Sequence, residues 1–502
     1  MRNKANCKLK GFKNDYWNTS TGIPLWRTAI QADELTLMAG NTEASENVNI
    51  PVINDSVNIA VMYRGANVNE MTAISVKLYG ANEAGIVRID GTTITGLSVG
   101  IVTVRVSYKL GGVTYNKDLK VLVGNTTITK TEVVEYFSAN DGVFDLSLLN
   151  GTSASDVISA TQLIDGAEVA LGVSVGANGE LIISGVTPNI IAGSQATYTS
   201  TLNEYNDGTL TTGTATSKSV TDKTVGATQI TIYTNQKTYV FTNVIAYTKV
   251  IDEASDWAEI QATGYYILKN DITFASTDTC KAEVAFEGTL DGNGKTVSGF
   301  TTALFGSLKG TLKNVSLVGT IGSAGVFGSD VNTNAFISNV YLSVTLTKNT
   351  AYALTSNLRE SVWKDVMIEI QNGDAVTTEH VELFASAISS FSKYYKQIVF
   401  DNVVVVTKDN DKGVSIDDDA FVDYTNKTGT TKYKIYAGND DATDFEELSK
   451  TTDDTQTTVV SDGYRRIVYT GITRYADKAT AGTVIGNWTV ASDGSVSWTA
   501  QS

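Results

Sequence analysis

Leu268-Lys269-Asn270-Asp271-Ile272, Asp291-Gly292-Asn293-Gly294-Lys295, Leu312-Lys313-Asn314-Val315, Ile337-Ser338-Asn339-Val340, Trp363-Lys364-Asp365-Val366 and Phe400-Asp401-Asn402-Val403 are versions of one phrase. Their Asn or Asp residues lie 23, 21, 25, 26 and 37 residues apart. A second track, Phe286, Phe305-Gly306, Phe327-Gly328, Leu354 and Phe384, places one member in each gap. Two tracks in step imply a coil of fixed circumference, whose units bury their apolar side only by stacking. The runs after each Asn, such as Val315-Ser316-Leu317-Val318 and Val403-Val404-Val405-Val406, alternate or are β-branched, so the coil is predicted to be β. Asn tolerates the left-handed backbone of a sharp corner, and stacked amides can bond from turn to turn at about 4.8 Å. Asn270, Asn293, Asn314, Asn339, Asp365 and Asn402 are therefore the expected structural ladder of a parallel β-helix.

The opening turns also carry a resemblance. Trp257, Gly264-Tyr265-Tyr266-Ile267-Leu268, Phe286-Glu287-Gly288-Thr289-Leu290-Asp291-Gly292-Asn293-Gly294 and Leu304-Phe305-Gly306 resemble the first coils of right-handed β-helix modules. Such modules occur in bacterial surface proteins and in phage spikes and fibres, so the resemblance implies a fold and leaves function open.

Working outward, the composition belongs to the all-β class: 43 Gly, 3 Pro and hardly any amphipathic helix pattern in 502 residues. Between residues 32 and 124 alternating strands recur every 8 to 12 residues, as in a sandwich. Val87-Arg88-Ile89-Asp90-Gly91 through Gly100-Ile101-Val102-Thr103-Val104 is similar to the core phrase of bacterial Ig-like domains of the group 2 kind, which serve as stalks and adhesion modules. Residues 125–249 are expected to form a second such sandwich, because Val173-Ser174-Val175 through Ala196-Thr197-Tyr198 echoes that phrase. The β-helix is expected over 250–410, and a small β-rich cap or oligomerisation tip over 411–502.

Charge is unevenly placed. Residues 1–14 hold five bases and no acid, leaving 33 bases against 54 acids in the remainder. A basic arm on an acidic body is expected to dock on an acidic partner surface. Arg2, Lys4, Lys8, Lys10 and Lys13, with the aromatic anchors Tyr16, Trp17 and Trp26, make residues 1–31 the candidate anchor to such a partner, which the resemblance to phage spike and fibre modules implies is a capsid or another virion protein. Nucleic acid is a poor partner for the acidic body, and no apolar run is long enough to span a membrane. The start Met1-Arg2-Asn3-Lys4 leads into no apolar core of the kind a secretory signal has.

Chemistry has few places to reside. Cys7, Cys280 and His380 cannot assemble a metal cluster, and no cofactor motif appears. A glycosidase would need two carboxyl groups about 5 to 9 Å apart, which matching Asp or Glu on adjacent turns could supply. The excursion between Asp365 and Asn402, with Asp374, Glu379, His380 and Glu382, is where such a site would lie, but it has no catalytic signature. Asp409-Asn410-Asp411-Lys412-Gly413 departs from a calcium loop at its fifth position. The expectation is a non-enzymatic homo-oligomer, dimer or trimer, assembled into a virion in the host cytoplasm and released by lysis. The combination is similar to fibres of phages that infect gut Bacteroidetes, including the crAss-like group. Such proteins are head fibres, capsid decorations or tail-fibre components that adhere to host surface glycans. A β-helix tailspike depolymerase and a bacterial surface adhesin are the alternatives.

Overall fold

The computed structural model describes residues 35–63, 66–79, 85–110, 112–124, 126–206, 209–234, 237–278, 282–322, 325–332, 334–347, 353–372, 385–387, 397–407, 423–425, 432–437, 465–475, 478 and 484–499. The anchoring arm with Arg2, Lys4, Lys8, Lys10, Lys13, Tyr16, Trp17 and Trp26 lies outside them. So do Cys7, Cys280, the excursion residues Asp374 to Glu382 and the acidic loop after Lys408.

The described chain is all-β and divides into two compact units: Met1–Thr187 with Ala227–Ala246, and Pro188–Gly226 with Tyr247–Ser502. In the first unit, one antiparallel sheet joins Leu35–Ala39, Ser56–Tyr63, Thr93–Gly96 and Val87–Asp90. A second sheet joins Asn47–Ile50, Val113–Val123, Gly100–Leu110 and Ser75–Leu78. Their alternating residues, Ile59, Val61 and Ile94 from one sheet and Val102, Val104, Leu119 and Val121 from the other, share one core. A separate core gathers Phe137, Phe144, Leu181, Ile183, Ile232, Tyr239 and Phe241, and Tyr239 donates its hydroxyl to the Leu149 carbonyl at 2.8 Å.

The stretch expected to complete a second sandwich is shared between the units. Asn189–Asn206 pairs antiparallel with the first part of Thr209–Thr234, from Asn189↔Gly226 to Asn206↔Thr209, and this hairpin belongs to the second unit. Period-2 alternation marks a strand without saying which core it serves, so Ala192 to Tyr198 read as an echo of the first domain.

In the second unit the chain alternates between two parallel sheets. The larger stacks Lys249–Ile251, Tyr265–Leu268, Thr289–Phe300, Thr311–Ile321, Ala335–Leu346, Ser361–Asn372, Ile398–Thr407 and Ile472–Tyr475. The smaller stacks Ala282–Phe286, Phe305–Leu308, Asp330–Val331, Thr355–Leu358 and Ala385–Ala387. Register aligns like with like: Leu290, Leu312, Ile337, Trp363 and Phe400 form one inward row, and Val297, Leu317, Leu342, Ile368 and Val405 another. Both rows are essentially excluded from solvent, so each strand buries its inward residues against the strands on either side. At the start of the coil, Trp257 on the one-turn helix Ala254–Trp257 packs its ring 5.9 Å from Phe274 and 5.8 Å from Phe305. At the far end Tyr469 meets Phe400 edge-on at 4.9 Å, and Ile472–Tyr475 adds a strand beside Val403–Val406. Gly471 makes this approach possible, because a Cβ there would overlap the Phe400 carbonyl oxygen.

Candidate functional site: the corner ridge and its two flanking straps

Midway along the larger sheet the backbone turns a corner, and the repeated phrase sits on it. Asn293, Asn314, Asn339, Asp365 and Asn402 all have φ between +51° and +59°, the left-handed region in which Asn and Asp cost less than other residues. Asn270 is not among the positive-φ residues, and its amide donates to Asp252. Three amides bond to a side chain on the preceding turn: Asn314 Nδ2 to Asp291 Oδ1 at 3.0 Å, Asn339 Nδ2 to Asn314 Oδ1 at 2.9 Å, and Asn402 Nδ2 to Asp365 Oδ1 at 2.7 Å, while Asn293 Nδ2 reaches the Leu268 carbonyl at 3.4 Å. In the second turn the acceptor is therefore Asp291, where Asn293 was expected. The pairing slips between Asp291 and Lys295, so Gly292 to Gly294 bulge opposite Asn314, and Asn293 instead donates its backbone N–H to Asp291 Oδ1 at 3.0 Å.

The ladder is broken between Asn339 and Asp365, because Asp365 has no amide N–H to donate. The vacant acceptor is taken by another part of the chain. Asn487 N donates to Asn339 Oδ1 at 2.8 Å, and Trp488 Nε1 donates to the Asn339 carbonyl at 2.9 Å. These residues belong to a three-stranded sheet, Val484–Ile485, Trp488–Val490 and Val496–Trp498. That sheet lies on the outward-facing Tyr341, Met367, Val404 and Val406, with Ile485, Trp488 and Val490 buried against them. Beside this contact, Lys478 Nζ pairs with Glu369 Oε2 at 2.9 Å, and the Tyr341 hydroxyl donates to the same oxygen at 2.8 Å. Burial would raise the Glu369 carboxyl, but the hydrogen bonds from Lys478 and Tyr341 outweigh it and hold the group below its ordinary value.

On the other side of the corner the hairpin serves as a second strap. Tyr198 packs on Phe336 with ring centroids 5.3 Å apart, and Tyr198 and Val220 cover the outward row Phe336, Val362 and Val399. Lys313, which is 6% exposed, donates to both Asp222 oxygens at 2.9 Å and to the Lys223 carbonyl at 3.0 Å, with Asp291 4.0 Å away. Lys218 pairs with Glu360 at 3.1 Å. Just before the corner, adjacent turns place Asp291, Lys313, Ser338, Lys364 and Asp401 in one outward row. Lys364 reaches Asp365 at 3.3 Å and Asp401 at 3.4 Å. Burial lowers the Lys364 ammonium, but those two carboxylates more than offset it and keep the group above its ordinary value.

In the registers of both parallel sheets, no described Asp or Glu faces another Asp or Glu on the next turn. Among the described residues there is also no cluster of three or more His, Cys, Asp or Glu placed to hold a metal ion, and no helix long and apolar enough to cross a membrane. The arrangement ties turns together through three amide bonds and the Lys364–Asp401 pair, and two straps cover the apolar outer rows. The chain matches no protein-family model, and a search of curated proteins finds none similar to it.

Proposed function

We propose that the chain is a structural protein of a tailed-phage virion, a head fibre, capsid decoration or tail-fibre component. In this reading residues 1–31 anchor it to the capsid or another virion protein, Ig-like sandwiches space it from the particle, and a right-handed parallel β-helix presents a surface to host glycans. It acts as a homo-oligomer and without catalysis.

One observation carries the choice over a tailspike depolymerase. The outward acids near the corner are engaged by structural partners: Asp291 by Asn314 and Tyr265, Glu369 by Lys478 and Tyr341, and Asp401 by Lys364. A hydrolase needs two carboxyl groups facing a substrate, one of them protonated. Carboxylates already bonded to lysines, amides and tyrosine hydroxyls support a structural role instead.

The test is negative-stain imaging of purified phage particles with antibody raised against this chain. Label on the head or tail supports the proposal and shows which end is distal. Label confined to the surface of uninfected bacteria refutes it and leaves the adhesin. Release of reducing ends from host capsular polysaccharide by the purified chain would favour the depolymerase.

A further inference from the structure

Leu181 to Asn203, between Glu180 and Glu204, is a run of 23 residues without Asp, Glu, Lys, Arg or His, the longest in a chain whose net charge is −16. Most of it forms the outer strand of the hairpin, Asn189–Asn206. One edge of that strand is paired along its length with the strand that follows. On the other edge, Arg465–Tyr469 covers only Leu202–Tyr205, and Thr470 closes the contact by donating its N–H and hydroxyl to the Thr201 carbonyl at 2.9 and 2.8 Å. At Gly471 the chain leaves this line and enters the coil, pressed against Phe400. Beside Gln195–Ser200 a slot one strand wide is thus left unfilled among the described residues, in line with a strand that is present.

Such an edge is a template for another strand, and soluble proteins usually block it with charge, proline or a bulge. Here charge is absent and Pro188 precedes the strand. The bulge between Ala192 and Gln195 leaves Gln195 to Leu202 in unbroken register. The hairpin is also tied to the coil: Tyr198 packs on Phe336 and Lys218 is paired with Glu360, so the edge is positioned by contacts within the chain. Asn189 to Thr197 are all exposed, Ile190 by 41% and Ile191 by 47%.

We propose that the slot takes the same strand of a second copy of this chain, paired antiparallel about a twofold axis between Gln195 and Ser200. The occupant has to be extended and uncharged. An acidic partner segment would meet the negative field of this body, whereas the neutral strand meets itself without like charges opposed. Twofold pairing is self-complementary, since each contact occurs twice, and it extends the sheet using backbone groups alone. This assignment does not depend on the virion reading.

Sedimentation equilibrium of the full chain over a range of concentrations tests it. The expected species is a dimer of the 53.6 kDa chain. Gln195→Lys and Thr199→Lys, at exposed positions on one face of the strand, should each set like charges near the axis and raise the dissociation constant roughly tenfold or more. Val318→Lys, at an exposed position on the coil, should leave it unchanged. Circular dichroism checks that each variant is folded. In a chain carrying Cys7→Ser and Cys280→Ser, single cysteines at Gln195, Thr197 and Thr199 should form disulfide-linked dimers, most efficiently at the position nearest the axis. A monomer at every concentration, a trimer, or a dimer indifferent to both lysine variants overturns the proposal.

Discussion

Replacing Asn339 separates the two tasks a corner residue performs. Its amide donates to Asn314 Oδ1 at 2.9 Å and its oxygen accepts from Asn487 N at 2.8 Å, while φ is +59°. Asn339→Gly removes both hydrogen bonds and accepts the backbone angle without strain; at about 1 kcal/mol per bond, the loss is about 2 kcal/mol. Asn339→Ala removes the same bonds and adds about 1 kcal/mol for a Cβ in the left-handed region, about 3 kcal/mol in all. Only the bond to Asn487 joins the C-terminal sheet, so amides of Val484–Ile485 and Trp488–Val490 should exchange about fivefold faster in either variant. The Trp488 bond to the Asn339 carbonyl survives and keeps the sheet docked. Hydrogen exchange read by mass spectrometry gives the local quantity, and urea unfolding monitored by tryptophan fluorescence gives the larger one. Equal destabilisation by Gly and Ala would refute the argument from backbone angle. Unchanged exchange over the C-terminal sheet would refute the docking argument.

Asp365→Asn restores the missing donor: the ladder should gain a bond to Asn339 Oδ1 at the expense of Asn487, so the coil melts slightly higher while the C-terminal sheet exchanges faster. For Glu369, a depressed folded-state pKa means its stabilisation is complete above the unfolded value of about 4.3 and is lost as pH falls through the lower folded value. The melting-temperature gap between the wild type and Glu369→Gln should therefore be constant above about pH 5 and narrow below it. Lys313→Met preserves the packed stem but removes the ammonium between Asp222 and Asp291. Asp291 keeps donors in Tyr265, Asn293 and Asn314, and Asp222 can rehydrate, so the cost is about 2 kcal/mol, below that of a fully buried pair. Exchange over the hairpin, faster than in the wild type, is the measurement.

The corner residues were legible because a left-handed position restricts residue type, and a coil repeats the restriction at every turn. Asn314, Asn339, Asp365 and Asn402 could thus be named from spacing alone. Asn293 could not be told from Asp291 as the amide acceptor, because Gly292 to Gly294 insert a bulge that keeps the spacing regular and shifts the register. The straps escaped for a different reason. Their own alternation gives no address, and Lys478, Trp488 and Asp222 lie far in sequence from the residues they meet. A signal was present on the coil itself: Val403 to Val406 is apolar at four successive positions, and a strand that is apolar on both faces must be covered on both. Phe336-Ile337 and Val366-Met367-Ile368 say the same.

The position of each strap follows from which outward row is apolar. Before the corner, Phe336, Val362 and Val399 need a cover, and the hairpin supplies Tyr198 and Val220. After it, Tyr341, Met367, Val404 and Val406 need one, and the C-terminal sheet supplies Ile485, Trp488 and Val490. Hydrophobic cover alone would let either strap slide along the coil, since stacked turns present nearly the same surface repeatedly. Register has to come from polar contacts that occur once. For the hairpin it comes from Asp222, which meets a buried lysine only at Lys313. For the C-terminal sheet it comes from the turn at Asp365, which has no amide N–H to donate to Asn339 Oδ1 and so leaves that oxygen to Asn487. A carboxylate in place of an amide at residue 365 therefore leaves the coil one rung bond short and gives the end of the chain an acceptor on which to dock.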